Sequence, residues 1–99
     1  MCMKIKTKSG FVCDVDERMA ADWDFVDALV DCESDDATKR VIASRNCIKM
    51  LLGKEGASAL AEHVKDEHGV KSIAKMLSEF REIMTLIGEK QKKSSSSPN

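Results

Sequence analysis

The sequence predicts a mainly α-helical fold: a compact four-helix domain with a short N-terminal β-hairpin and a disordered C-terminal tail. Three observations carry this expectation. Large apolar residues recur at alternating three- and four-residue intervals from Ile73 to Ile87, the period of an amphipathic helix. Near the N-terminus, two short runs alternate apolar and polar residues around a Ser-Gly pair. From Glu89 to Asn99 there is no large apolar side chain to offset the cost of ordering the chain.

Taken in order, Met3 to Thr7 alternates as a half-buried strand does, and so does Phe11 to Val15. Lys8-Ser9-Gly10 between them is turn chemistry, with Gly10 free to take positive φ. A lone hairpin is marginal in water, so its Ile5, Phe11 and Cys13 side should lie on helices. Asp16 is a suitable cap for a first helix whose apolar side would carry Met19, Trp23, Val26 and Val30, with Phe25 and Leu29 beside them. Asp35 or Asp36 can start a second helix, Ala37 to about Leu52, ended by Gly53. After Lys54-Glu55-Gly56, a third helix of small apolar residues (Ala57, Leu60, Ala61, Val64) would run to about Glu67 and close at Gly69. The longest stripe follows. Ser72 can cap it, Ile73, Met76, Leu77, Phe80, Ile83, Met84 and Ile87 form its apolar side, and Gly88 is its natural stop. A single domain over residues 3–88 and a polar tail over 89–99 result.

Composition narrows the function. The chain has 16 Lys and Arg against 17 Asp and Glu, a net charge of −1, which gives no electrostatic case for nucleic acid. No apolar run approaches the length of a membrane span, and no secretory apolar block opens the chain, so a cytoplasmic location is expected. Cys2, Cys13, Cys32 and Cys47 contain no close Cys-x-x-Cys pair, and the last three fall in apolar patterns. They read as small buried hydrophobes rather than zinc ligands. His63 and His68 are five positions apart, about 140° around an ideal helix, which is wrong for a shared metal. Ser9, Ser34, Ser44 and Ser58 have no neighbouring triad pattern, and the glycines form neither a P-loop nor a dinucleotide fingerprint. Neither enzyme activity, metal nor cofactor is expected.

What remains is surface. Asp22, Asp24, Asp27 and Asp31 crowd one short helix, where aspartate is a poor interior residue and repels its neighbours. Arg40, Arg45 and Lys49 form a basic side on the next helix. Acidic and basic faces on one chain suit head-to-tail self-association. Six methionines and only four aromatic residues suit an adaptable apolar surface, for which Met76, Phe80, Met84 and Ile87 of the long helix are the candidates.

One constellation resembles a known family. Val15-Asp16-Glu17-Arg18 is followed by Asp22-Trp23 and Phe25-Val26-Asp27-Ala28-Leu29. Met50-Leu51-Leu52-Gly53, the run from Glu62 to Ile73, and Glu79-Phe80-Arg81-Glu82-Ile83 complete the order. This order is similar to the tail assembly chaperones of long, non-contractile-tailed bacteriophages and related prophages. The likeness spans Met3 to Ile87 and is best from Asp16 to Leu29 and Leu51 to Ile73. It implies a non-enzymatic protein of the bacterial host cytoplasm. Such a protein binds the phage tape measure protein, helps recruit tail tube subunits, and is absent from the mature virion. It also implies that the Lys90-Gln91-Lys92-Lys93 run is compatible with a frameshift-extended form. A small helical transcription regulator, or another protein-binding adaptor, is the alternative; the regulator needs a basic recognition helix that the charge balance does not favour.

Overall fold

The computed structural model describes residues 2–94, with side chains through residue 90. Strands β1 (Cys2–Lys6) and β2 (Val12–Asp16) are followed by a 3₁₀ turn (Met19–Ala21) and helices α1 (Trp23–Asp31), α2 (Ala37–Val64) and α3 (Ile73–Ser94). The fold is mainly helical with an N-terminal hairpin, as expected, but the described residues contain three helices rather than four.

The hairpin pairs Met3 with Val15 and Ile5 with Cys13 in antiparallel register, which puts these four on one face. Ile5, Val15 and the adjacent Phe11 are buried, and Met3 and Cys13 pack at the margin. Lys4 and Asp14 stand directly opposite on the outer face, where opposite charges help pairing. The turn closes through Thr7 N to Phe11 O (2.9 Å) and Gly10 N to Thr7 O (3.0 Å), with Gly10 at φ 95°.

Asp16 is not the helix cap. Its carboxylate is occupied by the backbone N, Nε and Nη2 of Arg18 at 2.9–3.2 Å, and the chain turns through the 3₁₀ segment instead. Asp22 caps α1, accepting from the amides of Asp24 (3.0 Å) and Phe25 (3.3 Å). This delayed start leaves a short helix with more apolar residues than one buried face can hold. Phe25 turns inward with Ala28 and Leu29 beside it, whereas Trp23, Val26 and Val30, expected in the core, are exposed.

Asp36 caps α2 as expected, through Thr38 N and Lys39 N. The second and third expected helices then form one element. Gly53 takes φ 78°, ψ 171°, conformations open essentially to glycine alone, so the rod bends at that residue and resumes at once. The expected Lys54-Glu55-Gly56 connection is therefore helical. Just past the joint, a Cβ on Gly56 would lie 2.8 Å from Leu52 Cβ, so the bend is also tightly packed.

Helix α2 stops at Val64, short of the expected Glu67. Asp66 competes with the helix by accepting from the amides of His68 (2.8 Å) and Val70 (3.0 Å), while its own N donates to Val70 O. Ser72 Oγ then accepts from Lys75 N to open α3. Gly88 does not end α3, which runs on to Ser94. Glutamate, lysine and glutamine are good helix formers, and no apolar residue follows Gly88 to close a glycine cap. Residues 89–94 thus belong to the helix rather than to a tail, and the expectation for residues 95–99 lies outside the described residues.

One core joins these parts. Ile5 and Val15 of the hairpin, Phe25 of α1, Cys47, Ile48, Leu51, Leu60 and Val64 of α2, and Phe80, Ile83 and Ile87 of α3 form it. Phe25 and Phe80 meet edge to face, with ring centroids 6.5 Å apart. Of the stripe on α3, only Ile73 stays largely exposed, while Leu86, which falls off the stripe, packs at the core margin.

Three carboxylates are held below their ordinary range. Asp16 is lowered from 3.8 to about 2, chiefly by the Arg18 side-chain hydrogen bonds. Glu62 is lowered chiefly by its hydrogen bond to Lys65 and then by Lys71, and Asp66 by the amides of Val70 and His68. A depressed folded-state pKa contributes stability above the unfolded value that is lost as pH falls through the folded value. Stability should therefore be level from about pH 5 to about pH 8 and fall from pH 4.5 down to about 2. Urea midpoints across this range check it, and Asp66→Asn should flatten part of the slope.

Candidate protein-binding groove

Helices α1 and α3 both lean on α2 but, among the described residues, do not pack backbone to backbone. The gap between them is a groove of about 460 Å³. Val26, Leu29 and Val30 form one wall, Leu77 and Met84 the other, and Phe80 lies at the floor. Glu33, Arg40 and Arg81 stand at its edges, and Cys32 and Ser44 complete the lining. It is an apolar trough with charged margins, the form that takes one face of a helix.

The candidate residues are divided by the fold. Met84 lines this groove, and Phe80 supports it while only 6% exposed. Ile87 is wholly in the core and offers no surface. Met76 lines a second groove elsewhere. Asp22 is committed to capping, whereas Asp24, Asp27 and Asp31 are exposed. Arg40 borders the first groove and donates to Ser34 O at 3.1 Å. Arg45 and Lys49 line the second, lying roughly 140° and 180° further round α2 from Arg40. The single basic side expected from sequence is thus two surfaces. Among the described residues, no ion pair joins the α1 aspartates to these cations. The residues missed as groove wall are Val26, Leu29, Val30 and Leu77. The available signal was the surplus of apolar positions on so short a helix as α1.

Two further clusters form only in three dimensions. At the hairpin tip, Ser9 Oγ lies 2.9 Å from both His63 Nε2 and Glu79 Oε2, and Thr7 Oγ1 lies 2.8 Å from Glu79 Oε1. Serine, histidine and glutamate in contact invite comparison with a nucleophilic triad, but the protons run the other way. The carboxylate can only accept, so both hydroxyls donate to it. With the Ser9 proton so used, His63 Nε2 must donate to Ser9 Oγ and cannot act as its base. In a triad the carboxylate would hold the imidazole rather than the hydroxyl. The cluster instead clamps the hairpin to α3, helped by Lys8 N donating to Glu82 Oε2 at 2.7 Å and by the Phe11 ring tilted against His63.

The second cluster is a thiol pair, Cys32 and Cys47, with Sγ atoms 3.6 Å apart and Ser44 Oγ donating to Cys32 Sγ. Burial, then the hydrogen bond with Cys32, pushes the Cys47 thiol up to about 12, and burial with Asp14 raises Cys13 to about 11. Both are held as protonated, weakly reactive thiols. Cys47 is buried and Cys13 and Cys32 half-buried, in line with small core residues, while Cys2 is exposed. Among the described residues, no three His, Cys, Asp or Glu side chains converge on a metal-sized site, and no helix is long and apolar enough to cross a membrane. No family model, curated protein or solved structure matches this chain.

Proposed function

We propose that this chain is a non-catalytic helix-binding module that acts as a phage tail assembly chaperone. In this reading the α1–α3 groove shields one apolar face of the tape measure protein in the bacterial host cytoplasm. Recruitment of tail tube subunits follows, and the chaperone leaves before the virion is complete. The observation that carries the binding role is the apolar trough itself, with Val30 66% exposed at its lip and Leu77 and Met84 half-buried along its far wall. The choice of partner rests on the sequence resemblance. A tape measure protein is a long helix with an apolar side, and such a side needs cover before assembly.

Magnitudes say which residues matter. Fully burying a valine, leucine or methionine side chain contributes about 1.5–3 kcal/mol, whereas an exposed ion pair contributes roughly 0–1. Affinity would come from the walls, and Glu33, Arg40 and Arg81 would set register and orientation.

The test is co-expression with a phage tape measure protein, followed by titration of the purified pair. Val30→Asp and Met84→Asp should each weaken binding by at least about tenfold, the scale of losing one buried apolar contact. Val30 is exposed, so its variant should keep the wild-type circular dichroism and melting temperature. Wild-type protein that ignores the tape measure, or variants that bind it equally well, would refute the proposal.

A further inference from the structure

Two thiols meet where α1 ends. Cys32 is the C-cap residue of α1, and Cys47 lies within α2, 15 positions further on. A disulfide needs a separation of about 2.05 Å, so from 3.6 Å the sulfurs must close by roughly 1.6 Å. Cys47 is buried in the core with helix on both sides, and it has little freedom to move. Cys32 has that freedom, because it ends its helix and the chain after it, Glu33 to Asp36, is exposed or half-buried.

The two sulfurs differ in access and in hydrogen bonding. Cys32 lines the α1–α3 groove, whereas Cys47 has no exposed surface. Ser44 Oγ donates to Cys32 Sγ at 3.6 Å, and the Cys47 thiol points its proton the same way. Both donors would hold the negative charge that the Cys32 sulfur carries when it attacks. Cys32 is thus placed to react first and Cys47 to resolve. Cys2 and Cys13 face Asp16 and Ile5 across the hairpin rather than each other.

We propose that Cys32 and Cys47 form a reversible redox site that reacts with small-molecule disulfides, of which oxidised glutathione is the type. Cys32 Sγ attacks one sulfur of the oxidant. The oxidant's S–S bond breaks, one thiol leaves with the proton that Cys32 gave up, and a mixed disulfide stays on Cys32. Cys47 then loses its proton to solvent and attacks Cys32 Sγ. The mixed bond breaks, and the second thiol leaves with a proton from solvent. Two protein thiols are oxidised to one disulfide, and the oxidant is reduced to two thiols. The second step is the slower, because burial keeps the proton on Cys47. The new bond staples the end of α1 to α2 and closes a ring around their connection, which restricts the unfolded chain. In a reducing compartment the dithiol is the resting form, and the bond answers a shift toward oxidised thiols. This chemistry does not depend on what the groove binds.

The full chain incubated with oxidised glutathione in mildly alkaline buffer, then alkylated and digested with trypsin, tests it. Cleavage at Lys39, Arg40 and Arg45 separates the two cysteines, so their bond appears in mass spectra as a linked peptide pair. Wild-type protein should give the Cys32–Cys47 pair within single chains and melt at least about 5 °C higher, and dithiothreitol should reverse both. Cys47→Ala keeps a small apolar group in the core and should stop at a glutathione adduct on Cys32. Cys32→Ser changes a half-buried position and should leave Cys47 unmodified in the folded protein. A lasting adduct on wild-type Cys32 with no linked pair, a Cys47 that reacts without Cys32, or a linked form that melts below the reduced one would overturn the proposal.

Discussion

Glu79→Ala should destabilise the fold by about 1.5–3 kcal/mol, the usual contribution of hydrogen bonds to a charged acceptor. The carboxylate serves both Thr7 and Ser9, and Thr7 is 2% exposed, so its buried hydroxyl would lose a charged acceptor and keep only Ser9 Oγ, 3.1 Å away. The loss is greater than for a surface acid because the contact spans 72 positions and ties the hairpin tip to α3. For a domain of this size, each kcal/mol lowers the melting temperature by about 4–8 °C. Glu79→Gln keeps one acceptor oxygen and should cost less. Glu82→Ala removes only the exposed bond from Lys8 N and should cost about 0.5–1.5 kcal/mol. Thermal melts rank the three, and hydrogen exchange at the Thr7 amide, bonded to Phe11 O, should quicken in Glu79→Ala. An alanine variant within 0.5 kcal/mol of wild type would show that the clamp carries no stability.

Gly53→Ala should cost about 1–3 kcal/mol although nothing stands within 4 Å of the new methyl group. The whole penalty is backbone strain, since φ 78°, ψ 171° excludes any side chain. Straightening the rod would relieve that strain, but it would pull apart Cys47, Ile48 and Leu51 before the joint and Leu60 and Val64 after it, which share one core. Gly88 makes the control. It is also free of neighbours but sits within α3, so Gly88→Ala should stabilise by about 0.5–1 kcal/mol. Urea denaturation of the pair should show opposite signs. If both alanines stabilise, the bend at Gly53 is not imposed by the core.

Legibility in the sequence followed the range of the interaction. The stripe on α3, the hairpin alternation and the Asp36 cap depend on neighbours within a few positions, and each appears where its pattern lies. Errors arose where two local solutions competed. Asp16 was equally able to cap a helix or bind Arg18, and Asp66 drew the chain out of α2 at Val64. Gly53 carries the mark of a helix end, yet a single residue of unusual φ and ψ sufficed to redirect the chain without a loop. Gly88 carries the same mark and does nothing, because no apolar residue after it rewards leaving the helix.

Surface function was less legible than fold. Trp23, Val26 and Val30 obey core spacing as well as Phe25 does, and α2 can cover only one side of α1. The basic residues read as one side because they are close in sequence, but Arg40 borders one groove and Arg45 and Lys49 another. Ser9, His63 and Glu79 meet from three separate elements, a coincidence that no local pattern encodes.

By itself the sequence determined the hairpin, the helical class and the balance of charge, since periodicity and composition act through near neighbours and through totals. Only the tertiary structure decided which apolar side chains are core and which are surface, where the two grooves open, and which way the Ser9 proton points. Those outcomes depend on which faces α2 can cover once bent at Gly53, and coverage is a property of elements packed together in space.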